Sequence, residues 1–186
     1  MGRVRLNEKQ DLPEQYREMF ERIEAQPGGV LNIYRALSHA PEAMRRFMAL
    51  GRQFLVHGKL DPKLRELAIL RAGFVCRSKY ELAQHIEFGR RVGLTDAQIK
   101  GAADPNNALF DPQQMAVLTY AGELTSNARV SDASFGAVEA FLNEEQIVEL
   151  TLVVGFYNLV SRFLNALEVD VDPRAQSDFD ALELSV

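Results

Sequence analysis

The stretch that decides the fold is "PKLRELAILRAGFVCRSKYELAQHIEFGRRVG", residues 62–93. Its apolar residues recur at three- and four-residue steps, which is helical spacing and not the alternation of a strand. Asp61-Pro62 opens it as an N-cap with proline at the first helical position. Ser78 and Glu81 have the S-x-x-E spacing of a capping box and predict a second helix that ends at Gly93. The stretch therefore predicts two consecutive helices joined by a tight turn.

The same grammar runs outward in both directions. "LPEQYREMFERIEA" is amphipathic and stops at Pro27-Gly28-Gly29. "GVLNIYRALSHA" follows, and Pro41 opens "PEAMRRFMALGRQFLVHG" with Gly58 as its stop. Thr95 with Gln98, Asp111-Pro112, Ser131, and Asn143 with Gln146 mark further starts. The last of these caps a long apolar helix ending near Leu167. Beyond Asp170 the chain is acidic, and Pro173 predicts an irregular tail. No segment reads as a strand. The expected fold is an all-α, multi-helix bundle: an N-terminal helical extension (1–29), a helical domain (30–170) and an acidic C-terminal tail (171–186).

Composition narrows the function. The chain has 186 residues, 47% hydrophobic and 25% charged, which suits one compact globular domain with extensions. A formal net charge of −5 with no basic stripe gives no reason to expect nucleic acid as a partner. One cysteine forms no internal disulfide, and a reducing cytoplasm is the simplest compartment. The most apolar run, "IVELTLVVGFYNLVSRFL", is interrupted by Glu149, Asn158, Ser161 and Arg162, so it is expected to be a buried helix and not a membrane span. No H-E-x-x-H or C-x-x-C occurs, and neither a metal nor a cofactor is expected.

Chemistry concentrates in the opening stretch. Glu66 shares a face with Ile69, Leu70 and Gly73, an apolar setting in which a carboxylate needs a partner; Arg65 and Arg71 are near in sequence. Glu81 and His85 are i and i+4, so the carboxylate can orient the imidazole and favour its protonated form. The capping box is the plain alternative for Glu81, and a core histidine the plain alternative for His85. Cys76 ends an apolar run, where a cysteine usually packs as a small hydrophobe, although Arg77, Lys79 and a helix start lie beside it. Asn158, Ser161 and Arg162 share a helical face, from which the guanidinium could clamp a carboxylate or make a contact between helices or subunits. "ELAILRAGFV" from Glu66 and "ELTLVVGFYN" from Glu149 resemble one another, each with a serine twelve residues past its glutamate, and hint at an internal duplication.

"LRELAILRAGFVCRSKYELAQHIEFGRRVGLTDAQI" closely resembles the carboxymuconolactone decarboxylase family, which also contains the alkyl hydroperoxidase D-like proteins. The resemblance spans roughly residues 30–170. It implies an all-helical fold assembling as trimers or hexamers. In the peroxidase-like branch a glutamate is followed twelve positions on by the first cysteine of a C-x-x-C, with a histidine four after the second. Glu66 and His85 match that pattern. The two cysteines fall on Ser78 and Glu81, and the histidine between them falls on Tyr80. The branch carrying a Tyr-Glu pair and then a histidine matches Tyr80, Glu81 and His85, with Leu82 where many members have tryptophan. The resemblance thus implies a cofactor-independent lyase or proton-transfer enzyme on a small carboxylated, lactone-like substrate. Glu66, Tyr80, Glu81 and His85 would be catalytic, and Arg71, Asn158 and Arg162 would bind substrate. The alternatives are a peroxidase relying on Cys76 alone and a non-catalytic ligand-binding oligomer.

Overall fold

The structure is a computed structural model and describes residues 2–26, 28–104 and 108–186. After a short 3₁₀ turn at Lys9–Asp11, the helices are α1 (Glu14–Glu24), α2 (Asn32–Leu37), α3 (Pro41–His57), α4 (Pro62–Val75) and α5 (Lys79–Arg91). They continue as α6 (Asp96–Gly101), α7 (Pro112–Asn127), α8 (Asp132–Glu139), α9 (Glu144–Leu167) and α10 (Pro173–Ala181). Among the described residues there is no strand. The expected all-α architecture is what the chain adopts.

The start signals act largely as the sequence predicts. Asp61 accepts from the backbone N–H groups of Lys63 and Leu64, and α4 begins with Pro62. Thr95–Gln98 and Asn143–Gln146 form reciprocal capping boxes, and Asp111–Gln114 adds a third. Each satisfies donors that the first helical turn leaves without partners. Gly28 and Gly29, just past α1, have φ of +99° and +65°, values that glycine adopts without a Cβ clash. Pro27, placed in the same stop signal, lies outside the described residues.

Two expectations are corrected. Pro173 does not keep the tail irregular; it occupies the first turn of α10, where its missing N–H is no loss, with Asp172 as N-cap. The Ser78–Glu81 box does not form either. Ser78 is the N-cap of α5, yet its hydroxyl is fully buried and bonds to nothing among the described residues. Burial explains this: α5 enters the core at its first turn, and Glu81 turns towards His85 one turn on.

α4 lies at the centre, packed against α5, α7 and α9. It is buried on nearly every side from Leu64 to Gly73, so it carries apolar residues all round and not on one stripe. One body of core joins Met44 and Phe54 of α3 to Val153, Phe156 and Val160 of α9, and takes in Leu12 and Phe20 from the N-terminal stretch. A second joins α4 and α5 to Phe179 and Leu182 at the C-terminal end. A third lies between α4, α7, α8 and α9. α9 is long and apolar enough to cross a membrane, but 56% of its most apolar window is buried inside the protein.

The α3–α4 turn depends on a close approach. Glu149 of α9 accepts from the backbone N–H groups of Lys59 (2.6 Å) and Leu60 (3.2 Å). A Cβ on Gly58 would stand 2.0 Å from Glu149 Oε1 and 2.7 Å from the Phe54 carbonyl. Gly58→Ala is therefore expected to destabilise the protein by about 1–3 kcal/mol, the usual range for overpacking. Urea denaturation of the purified variant checks this, and an unchanged midpoint would contradict the contact.

Candidate active site

Glu66, carried on central α4, has no exposed surface. Its Oε2 accepts from His85 Nδ1 of α5 at 2.7 Å, and its Oε1 accepts from Arg65 Nε at 3.3 Å. Arg65 is itself buried and donates through Nη1 to the Phe54 carbonyl at 3.2 Å. The buried carboxylate is thus held between a guanidinium and an imidazole, the partnering that its apolar surroundings demand. With Nδ1 donating to Glu66, the Nε2 edge of His85 is left for chemistry.

That edge faces Glu81. His85 Nε2 and Glu81 Oε2 are 3.7 Å apart, beyond hydrogen-bond range but within strong electrostatic reach. Glu81 Oε2 is buried and has no hydrogen-bond partner among the described residues. Burial, with the Glu66 carboxylate adding to it and His85 opposing, pushes the Glu81 carboxyl from its usual 4.5 to about 7. His85 moves upward as well: burial is the largest single influence and works against its charge, but the charge and hydrogen bond of Glu66, with the Glu81 charge, together outweigh it. The site therefore holds an exchangeable proton near neutral pH on Glu81, beside an imidazole whose charged form its neighbours favour.

Three aromatic rings close around it. Tyr157 of α9 stands edge-on to the His85 ring, centroids 4.9 Å apart, and Phe88 packs at 5.3 Å. Burial, and then the Glu81 charge, raise the hydroxyls of both Tyr157 and Tyr34 of α2 above the usual tyrosine value, so both remain proton donors. Sequence reasoning missed Tyr34 and gave Tyr157 no role. No local motif marks them, since α2 and α9 reach the site only through the tertiary fold. Among the described residues, no three His, Cys, Asp or Glu side chains are grouped as a metal site.

The remaining sequence candidates lie elsewhere. The Tyr80 hydroxyl donates to Asp172 Oδ2 and accepts from the Ile33 backbone N–H. Asp172 also takes Gln84 Nε2 at 2.8 Å and the Asn32 N–H at 3.0 Å. Tyr80 is thus part of a latch tying α5, α2 and the start of α10. Tyr80→Phe is expected to lower stability by about 1–2 kcal/mol through the lost hydrogen bond, while leaving turnover within about twofold. A fall in turnover with stability unchanged would return Tyr80 to the catalytic set.

Arg71 is turned away, its Nη1 donating to the carbonyls of Ala102 and Ala103 at the end of α6. Its guanidinium packs over Gly122, where a Cβ would meet Nε at 2.8 Å. Asn158 donates to Thr125 Oγ1 (2.9 Å) and the Val154 carbonyl (3.0 Å), and accepts from the Cys76 thiol at 3.6 Å. Arg162 is exposed on the outer side of α9. Cys76 is half-buried, and burial pushes its thiol up despite the nearby Arg162 charge, which disfavours a thiolate.

A cleft of about 630 Å³ runs along the other side of α5. Val30, Ala83 and Phe88 belong to its apolar part, and Arg35, Arg91 and Arg174 line it beside the carboxylates of Glu8, Glu87, Asp172 and Asp178. Arg35 pairs with Glu8, and Arg91 and Arg174 both pair with Glu87. Phe88 belongs to both places: it lines the cleft and packs on His85.

Comparison with known proteins agrees with this fold. Residues 41–123, from α3 into α7, match the model of the carboxymuconolactone decarboxylase family. A structure of an alkylhydroperoxidase AhpD core, an uncharacterized peroxidase-related protein from Ralstonia eutropha JMP134, superposes with a TM-score of 0.83 at 21% identity, covering 94% of each chain. An uncharacterized peroxidase-related protein from Silicibacter sp. TM1040 gives 0.83 at 20% identity, covering 96% of this chain and 95% of its own. The debrominase Bmp8, solved as a cysteine-to-alanine variant with 2,3,4-tribromopyrrole, gives 0.81 at 15% identity over 96% of both chains. No curated protein matches by sequence. Residues 41–123, which carry Glu66, Glu81 and His85, thus match the carboxymuconolactone decarboxylase family model, and the chain as a whole has the AhpD-like helical fold.

Proposed function

We propose that this chain is a cofactor-independent acid–base enzyme, a carboxy-lyase or proton-transfer catalyst acting on a small carboxylated, lactone-like molecule in the cytoplasm. One observation carries the reading: Glu66, His85 and Glu81 form a buried line of hydrogen-bonding and charged groups that ends in an unpartnered carboxyl oxygen. Glu66 fixes the His85 ring and its charge. His85 Nε2 and the Glu81 carboxyl are the proton donors.

In a decarboxylation, the bond between the α-carbon and the carboxylate breaks and carbon dioxide leaves. The electron pair stays on the α-carbon, delocalised as an enolate, and a proton from His85 or Glu81 completes the product. A poorly hydrated site favours the loss of the charged carboxylate and strengthens the donors aimed at the enolate. Tyr34 and Tyr157 keep their hydroxyl protons and stand beside the same groups. Arg71 is turned to the carbonyls at the end of α6 and Arg162 lies on the outer side of α9, so neither is placed to hold the substrate carboxylate.

The test is to incubate the full chain in D₂O with a panel of carboxylated lactones, measuring released carbon dioxide and deuterium at the α-carbon by NMR. Both signals are expected for at least one compound, and His85→Gln is expected to reduce them by about 10²–10⁴-fold, the usual contribution of a positioned acid. Saturable binding across the panel with neither signal would make the site a ligand pocket and sink the catalytic reading.

A further inference from the structure

The outer face of α9 carries an apolar stripe that the rest of the chain leaves open. Val148, Leu152 and Leu159 are 58%, 52% and 53% exposed. With exposed Glu145, Gly155 and Arg162 they follow one another at steps of 3, 4, 3, 4 and 3 residues. That alternation keeps one straight seam along a helix, the spacing by which two helices interlock.

The seam is complementary to itself. A second α9 can be laid antiparallel, turned about the midpoint between Val153 and Val154. Glu145 then meets Arg162, Val148 meets Leu159, and Leu152 meets Gly155, both members of each pair being equally far from that midpoint. A Cβ built on Gly155 would touch nothing within 4 Å, so the glycine leaves a notch for the partner's leucine. Among the described residues, Glu145 and Arg162 have no ion-pair partner within the chain. A parallel pairing would set glutamate on glutamate and arginine on arginine. A lipid surface would take the apolar side chains but offers Glu145 no partner.

We infer that α9 is a two-fold contact between copies of this chain, antiparallel across Leu152 and Gly155 and closed at each end by a Glu145–Arg162 ion pair. Such a contact is isologous: each pair occurs twice, so one substitution acts at two places. The site lies on the opposite, inward side of α9, and the contact does not depend on the proposed reaction.

Sedimentation equilibrium of the full chain at about 0.1 M salt tests this, a condition in which exposed charges are only partly screened. The wild type is expected to associate. Arg162→Glu and Glu145→Arg each place like charges opposite one another and are expected to raise the dissociation constant roughly 100-fold, halving the mass of the assembly. The double reversal, Glu145→Arg with Arg162→Glu, restores association, because only pairing between copies makes the two changes compensate. Gly155→Leu fills the notch and dissociates the copies with the helical circular dichroism unchanged. Native mass in either single variant overturns the inference, as does a double variant that stays dissociated. A monomeric wild type that co-sediments with phosphatidylcholine vesicles assigns the stripe to lipid.

Discussion

Glu66→Gln is expected to destabilise the protein by about 3–5 kcal/mol, the loss seen when one partner of a buried charge pair is removed. The carboxylate is fully buried and serves Arg65 on one oxygen and His85 on the other. Glutamine keeps the volume but loses the charge, and leaves the buried Arg65 guanidinium facing a neutral amide. The 3.2 Å bond from Arg65 to the Phe54 carbonyl does not replace the missing anion. For a chain of this length, the melting temperature should fall by about 6–20 °C. The same change also frees the His85 ring and removes the charge that holds its proton, so turnover falls with stability. Combining Glu66→Gln with His85→Gln should therefore cost less than the two single changes added together, since the groups act on one another directly. Additive effects would mean that the 2.7 Å contact contributes little.

The sequence carried the helices well because their signals are local. Asp61-Pro62, Thr95 with Gln98, and Asn143 with Gln146 each set a helix start within four residues, and each acts in the structure as its spacing predicts. Glu66 and His85 were also legible, because a carboxylate on an apolar helix must find a partner. Glu81 was ambiguous for the same kind of reason: its spacing fits a capping box, and only burial of the α5 start decides that it faces His85 instead. Arg71 was misread because a cation near an acidic site in sequence need not point at it, and Arg162 because a helical row shared with buried Asn158 and Ser161 does not itself have to be buried. Arg71 is claimed by backbone carbonyls at the end of α6, and Arg162 falls on the outer face of α9. Tyr34 and the cleft arginines could not be read at all, because the packing of α2 and α10 against α5 brings them there. The tail was lost to a rule applied at the wrong position: proline disfavours a helix interior but suits its first turn.

Raising the pH from 6 to 8.5 is expected to weaken both folding and turnover, and Glu81→Gln is expected to remove much of the folding effect. The Glu81 carboxyl titrates near 7 in the folded protein and near 4.5 as an ordinary glutamate. A group raised in this way contributes its full stability below about 4.5 and loses it as pH climbs through 7. The whole loss, from below pH 4.5 to above 7, is on the order of 3 kcal/mol, of which roughly 1 kcal/mol falls between pH 6 and 8.5. His85 has the same sign: its value is raised above 6.5, so its share is present below that and disappears as pH rises through the folded value. Melting curves of the wild type should thus shift downward between pH 6 and 8.5, and those of Glu81→Gln should shift less and start higher at pH 8.5. Catalysis follows the same protons. Once the donor form is depleted above about pH 7, kcat/KM should fall about tenfold per pH unit, as expected for a single required acid. In Glu81→Gln the remaining activity should follow His85 alone, its alkaline limb should leave the position set by Glu81, and the imidazolium, without the Glu81 charge, should give up its proton at lower pH than in the wild type. A limb that stays where it is in the variant would show that Glu81 neither donates the proton nor tunes the histidine that does.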